Sequence, residues 1–416
     1  MLARGWMPIS SARIVGFIAA FACVGALRGV AGCVTDADRR NVPDPEAPEG
    51  PPVDPTPVGR APVGRAEAAK DDGLGAAAPR APDDSTIAPH VVAPFHIIGR
   101  FDARDPAGPR FGWAGTEIRV RFAGARLALE LADTGISHYD VAIDGAAPRL
   151  LVVFGGRRTY EVARDLPPGI HELVLTKRTE TFTGVTQLLG VEGTLIPSEA
   201  PSGRRIELVG DSITCGFGVL GPDPTCAFSP DTEAEPRAWG AIAAKELGAM
   251  RMVTAVSGMG VFRNFDGSTS DTMPERYDRA LAEDPTSVWD HRAFEPDLVV
   301  VNLGTNDFAG GKGDPGPAFE AAYTKFLGAL RARHAAARIV VTTSPMLSGR
   351  NHAQQRAYVE AAIAARAAEG DTKISLVDLE TQDGLDGYGC AYHPSIATHQ
   401  KMAAKLVQHV KPLMGW

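Results

Sequence analysis

The chain has 416 residues, more than one ordinary hydrophobic core fills and enough for two domains with extensions. Hydrophobic residues at 44% and charged residues at 22% are globular values. A formal net charge of −8 with no dense Lys/Arg run gives no basis for nucleic-acid binding and disfavours acidic polymers as partners, leaving neutral ligands compatible.

Residues 1–33 read as an export signal. Arg4 and Arg13 supply positive charge, and the apolar stretch 14–27 is short for a membrane span and is followed by Arg28. Val30-Ala31-Gly32-Cys33 resembles a bacterial lipobox, in which the cysteine becomes the lipidated first residue. An ordinary cleaved signal with an incidental Cys33 is the alternative. Either way an exported protein is expected, touching a membrane only through a lipid anchor.

From 34 to 90 the composition shifts. Pro43, Pro45, Pro48, Pro51, Pro52, Pro55 and Pro57 fall in one run, and Pro-Val-Gly-Arg-Ala occurs at 57 and again at 62. With almost no large apolar residue, nothing here offsets the entropy of ordering, so a stiffened, disordered tether is expected.

Residues 91–200 read as all-β. Ile118, Val120 and Phe122 alternate with Arg119 and Arg121, and Leu127, Leu129 and Leu131 repeat the two-residue period of a half-buried strand. A further run at 139–143 leads into Asp144-Gly145, a hairpin turn signal, and 171–176 follows Pro167-Pro168-Gly169. Short strands with regular turns predict a β-sandwich of jelly-roll type.

From 201 to 416 the rhythm becomes alternating β and α. Strands are expected at 206–209, 252–256, 298–302, 339–343 and 374–377, with helices at 239–247, 319–330, 354–368 and 396–410. Nearly continuous β-branched runs between helices predict a five-stranded, doubly wound parallel sheet covered on both faces. Ligands of such sheets bind beyond the carboxyl ends of the strands.

Polar residues gather at those ends. The first strand runs into Gly210-Asp211-Ser212, the second into Ser257-Gly258, the third into Gly304-Thr305-Asn306-Asp307, and His393-Pro394 precedes the last helix. Taken singly, these are a helix cap, two turns and a structural histidine. Taken in order, Ser, Gly, Asn and His resemble the four blocks of the SGNH (GDSL-type) hydrolases over 204–416. The resemblance implies Ser212 as nucleophile, His393 as base, and an oxyanion hole from the N–H groups of Ser212 and Gly258 and the Asn306 amide. Those types suit the chemistry: a serine needs a base, and an oxyanion needs preorganised donors. Asp211 and Asp307 read as supports that orient the loops.

One position departs from that pattern. The superfamily places an Asp three residues before the His, and here Cys390 stands there. A Ser–His dyad whose imidazole is held by a backbone carbonyl is the favoured expectation, with Asp386 or Asp383 as alternative acids. With Cys23 in the signal and Cys33 in the lipobox, Cys215, Cys226 and Cys390 remain. An odd number allows at most one internal disulfide. Cys215 and Cys390 both lie within three residues of the expected catalytic pair, which would make them neighbours in space; three buried thiols are the alternative.

The order of sandwich then hydrolase resembles carbohydrate esterase family 2 over 95–416, on Gly-Asp-Ser-Ile-Thr-Cys-Gly-Phe-Gly (210–218), Lys177-Arg178-Thr179-Glu180 and Gly389-Cys390-Ala391-Tyr392-His393-Pro394. It implies removal of acetyl groups from xylan and related plant polysaccharides. Tyr392 is placed to stack on a sugar or to pack as a rim aromatic. Ala391 stands where the family often carries an Asp. Trp239 is expected in the core, His399 on the last helix as a structural or solvated residue, and 177–180 as a solvated strand end or an interdomain contact. No cofactor is implied, and no metal, because His393 lacks an array of further ligands at metal spacing. A lipase or thioesterase acting on other acyl esters, and a surface glycan binder with decayed catalysis, are the competing readings.

Overall fold

The computed structural model describes residues 92–416. The export signal, the Cys33 lipobox and the Pro-rich segment lie outside the described residues. The N-terminal half is antiparallel. In chain order it runs β1 (Val92–Ala93), β2 (His96–Ile98), β3 (Arg110–Phe111), β4 (Glu117–Ile143), β5 (Arg149–Ala163), β6 (Ile170–Lys177), β7 (Thr186–Leu195) and β8 (Ser198–Glu199).

β4 absorbs three of the expected strands into one 27-residue segment. Its alternating Ile118, Val120, Phe122, Leu127, Leu129 and Leu131 are all buried, as the period demands. The chain bends between these runs without leaving the ladder. Gly124 takes φ +95°, and the register shifts between Ala123 and Ala128 and again between Asp133 and Ile136. The first stretch of β4 pairs with β2 and β6, the middle stretch with β5 and β7, and the last stretch returns to β6 and β5. Strands β2 to β7 thus form a single curled sheet wrapped around one apolar core, while β1 and β8 pair separately. The Asp144-Gly145 turn forms as expected, with both residues at positive φ.

The C-terminal half alternates: β9 (Arg205–Gly210), α1 (Ser212–Cys215), α2 (Trp239–Glu246), β10 (Met250–Ala255), α3 (Met273–Arg276), β11 (Leu298–Asn302), α4 (Thr305–Phe308), α5 (Pro317–Arg333), β12 (Arg338–Thr342), α6 (Gly349–Ala368), β13 (Ile374–Val377) and α7 (Ile396–Met414). The five strands are parallel in the order β10-β9-β11-β12-β13. On one face, Phe319, Tyr323 and Phe326 of α5 and Val359 and Ala362 of α6 cover Val299, Val301, Ile339 and Val341. On the other, Trp239 of α2 and Met402, Leu406 and Val407 of α7 cover Leu208, Val300 and Val340. The order reverses at β9, so the loops after β9, β10 and β11 open into the crevice of the switch point.

Charged and aromatic groups weld the two halves. Arg100, fully buried, donates to Glu207 of β9 (2.8 Å) and lies over the Tyr277 ring (4.8 Å). Burial works to raise the Glu207 carboxyl, but Arg100, His334 and Tyr277 hold it at about 2. Trp113 of the β half packs inside the α/β core and donates to the Ala280 carbonyl (2.8 Å).

Candidate active site

Each strand end contributes one part. At the end of β9, Gly210 is required by close approach: a Cβ there would sit 2.1 Å from Thr214 Oγ1. Asp211 caps α1 by accepting from Ile213 N–H (3.0 Å), which turns Ser212 into the crevice as the first helical residue. After β10 the chain reaches Gly258 at φ +81°. After β11, Gly304 at φ +117° starts α4 and presents Asn306. Asn306 Nδ2 donates to Met259 O (2.9 Å) and reaches Asp211 Oδ2 at 3.3 Å. Among the described residues, the N–H groups of Ser212 and Gly258 have no protein acceptor.

Asp307 gathers the loop beyond Gly258. Its carboxyl accepts from the N–H groups of Val261 (3.0 Å), Phe262 (2.8 Å) and Arg263 (2.9 Å). Burial lifts it to about 6 against those donors. Asp211 rises further, to about 7, by burial first and then by the nearby charges of Asp307 and Glu180.

His393 closes the site from the turn before α7. Ser212 Oγ lies 2.8 Å from its Nε2, and Nδ1 lies 3.1 Å from both Cys390 O and Ala391 O. Carbonyl oxygens only accept, so they assign the ring proton to Nδ1 and leave Nε2 as an acceptor for the serine. Burial pushes the imidazole down to about 4, with the two carbonyls opposing. Ala391 and Tyr392 pay for this turn with φ of +51° and +57°, unusual for residues with a Cβ. Asp386 and Asp383 are not partners of the ring. Asp386 pairs with Lys401 (2.6 Å), and Asp383 accepts from Leu385 N–H (3.0 Å). The turn's own backbone occupies the Nδ1 edge instead.

Sequence reasoning missed three features. Cys226 and Cys390 form a disulfide with Cα atoms 4.7 Å apart, and Cys215 stays free and buried. Rings continue away from the imidazole: Phe217 lies 4.4 Å from His393 between centroids, Phe228 4.7 Å from Phe217, and Phe182 of the β half 4.9 Å from Phe228. Phe265, 57% exposed, donates its N–H to Gly258 O. Tyr392 is 48% exposed beside Tyr388. Phe217, Cys390 and Tyr392 stand in the 210–218 and 389–394 motifs, whereas Cys226, Phe228, Phe182 and Phe265 join them only through folding.

The 177–180 cluster is an interdomain contact in which Lys177, Thr179 and Glu180 are buried. Glu180 accepts from Ser257 N–H (2.7 Å) and from its hydroxyl, and Lys177 Nζ donates to Thr179 O (2.7 Å). Burial raises Glu180, and raises Glu233 well above the carboxylate range. Burial lowers Lys177 to about 8. Glu180, Cys215 and Glu233 come within 4.8 Å of one another, and the nearby Lys177 ammonium donates to Thr179 O and to the Glu180 backbone carbonyl (3.3 Å). His399 is buried and accepts from Trp239 N–H (3.1 Å), with Trp239 in the core.

Known proteins match this architecture along its length. The model for the carbohydrate esterase 2 N-terminal domain matches 97–197, and that for the GDSL-like lipase/acylhydrolase family matches 208–401. The chain is 35% identical over 321 residues to a cellulase/esterase, CelE, of Acetivibrio thermocellus, covering 76% of this chain and 39% of that longer protein. It is 29% identical over 341 residues to an acetylxylan esterase/glucomannan deacetylase of Cellvibrio japonicus, covering 79% of this chain and 90% of that one. The structure of a family two carbohydrate esterase from Clostridium thermocellum in complex with cellohexaose superimposes with a TM-score of 0.74 at 34% identity, covering 77% of this chain and 99% of the other.

Proposed function

Because the chain belongs to carbohydrate esterase family 2, and is therefore a carboxylic ester hydrolase, we propose that it removes O-acetyl groups from xylan, glucomannan or their oligosaccharides through an acyl-enzyme on Ser212. The observation that carries the mechanism is the 2.8 Å contact between Ser212 Oγ and His393 Nε2, with the Nδ1 proton committed to two carbonyls. His393 takes the hydroxyl proton as Oγ attacks the acetyl carbonyl. The oxyanion is received by the N–H groups of Ser212 and Gly258 and by Asn306, which gives up its long contact to Asp211. Collapse expels the sugar alkoxide, protonated from Nε2. Water then enters by the same route, and acetate leaves. Without a carboxylate, the imidazolium formed in each step is stabilised by Cys390 O and Ala391 O.

The substrate class rests on the relatives that deacetylate xylan and glucomannan and on the neighbour solved with cellohexaose. Exposed Tyr392 and Phe265 beside the site suit stacking against sugar faces. Export and a lipid anchor at Cys33 belong to the same proposal, and the Cys226–Cys390 disulfide supports an oxidising compartment. The test is acetate release from acetylated xylan and glucomannan beside a Ser212→Ala variant. Release by the parent alone is expected. Release by neither folded protein, or preference for long acyl chains, overturns the assignment.

A further inference from the structure

The Cys226–Cys390 bond touches the site from two directions. Cys390 carries one of the two carbonyls that hold His393 Nδ1, and the same oxygen also accepts from His393 N–H (3.1 Å). Its own N–H donates to Gly218 O (3.0 Å), and Gly389 N–H donates to His393 O (2.8 Å). The bond's other end, Cys226, lies two residues before Phe228. Phe228 packs on Phe217, and Phe217 packs on the imidazole. One covalent link thus fixes the carbonyls at the edge of the ring and the aromatic stack at its face.

Something must hold this turn. Ala391 and Tyr392 both sit at positive φ, a conformation that residues with a Cβ leave when unconstrained. Among the described residues no carboxylate supports the imidazole, whose Nδ1 partners are both backbone oxygens. Backbone carbonyls orient a base only as well as the backbone itself is fixed. Cys390 is fully buried, while Cys226 lies partly exposed on the loop.

We propose that the Cys226–Cys390 disulfide is the positioning group for His393, doing through a covalent tether what a carboxylate partner would otherwise do, so that turnover depends on the bond remaining oxidised. The inference rests on His393 acting as the base. A dithiol reaches the partly exposed Cys226 sulfur; as it closes to its own cyclic disulfide, the protein bond takes up two electrons and two protons and becomes two thiols. The released turn lets the ring swing off Ser212 and admits water to it. The acyl-binding parts, Gly258 and Asn306, lie on other loops and keep their place.

The experiment treats the purified protein with dithiothreitol, counts thiols, and measures kcat and KM for 4-nitrophenyl acetate across pH, with a thermal melt as the check on folding. Reduction is expected to lower kcat by roughly ten- to a hundredfold with KM little changed. The acid limb of the profile moves up toward that of an ordinary imidazole, and reoxidation restores both. Cys226→Ala reproduces the loss and makes the protein indifferent to dithiothreitol. Full reduction of a protein that still melts cooperatively, with kcat and the acid limb unmoved, overturns the proposal while leaving His393 as base. Full activity in His393→Ala sinks the mechanism itself.

Discussion

At the scale of single residues, the imidazole of His393 is poised as an acceptor. Its two carbonyl partners fix the tautomer, and burial holds its pKa at about 4. Attack requires the neutral ring, and protonation at falling pH removes the acceptor. A ring with its pKa pushed down keeps that acceptor into more acidic solution. The expected kcat/KM therefore stays flat from neutral pH to about 5 and falls only below it, measured with a non-ionising acetyl ester. A limb at the ordinary imidazole value of about 6.5 contradicts the environment described for the ring. Asn306→Ala removes one proposed oxyanion donor and is expected to lower kcat by about 100- to 1000-fold with the fold intact. The sequence offered these residues as one set because Ser212, Gly258 and Asn306 stand at successive strand ends and His393 before the last helix. The orienting group was legible only as a choice between a carbonyl and two aspartates, since a backbone acceptor leaves no side-chain signature.

At the scale of elements, the β half forms part of the site's scaffold. Glu180, just after β6, holds Ser257 by its N–H and hydroxyl, one residue before the proposed oxyanion donor Gly258. Glu180→Ala leaves that loop unanchored and is expected to reduce kcat on the order of 100-fold, with a smaller change in KM. Unchanged kcat would show that Asp307, through its bonds to 261–263, suffices to shape the loop. The parallel strands were readable because each is a short β-branched run between amphipathic helices; β11 and β13 fall on the residues expected. β4 was read as three strands because its bends at 124 and 135 look like turns, whereas the ladder passes through them. The Cys226–Cys390 pairing spans 164 residues of sequence, and no local pattern encodes it. The same holds for the rings of Phe182 and Phe228.

At the scale of the whole molecule, the two halves share buried charge. Removing Arg100 strands Glu207 in the core, so Arg100→Met is expected to cost about 3–5 kcal/mol, read by denaturant unfolding. A loss below about 1 kcal/mol would show that His334 and Tyr277 satisfy Glu207 alone. The sign with pH follows from a carboxyl held at about 2 when folded. Its contribution is complete above the unfolded value of about 4.3 and is lost as pH falls toward 2. Acid unfolding of the parent should therefore be steepest in that window, and Arg100→Met should flatten it. The proposed lipobox lies outside the described residues and is tested in cells. Cys33→Ser is expected to move the protein from the membrane fraction to the soluble exported fraction, and an unchanged distribution would contradict lipid anchoring.

The most direct test of the account is to quench the protein during turnover of an acetyl ester and map the acetyl group by peptide mass. Acetyl is expected on Ser212 in the parent, with no acetylated peptide in Ser212→Ala and slow labelling in His393→Ala. Full turnover with Ser212 unmodified, or sustained in Ser212→Ala, contradicts it.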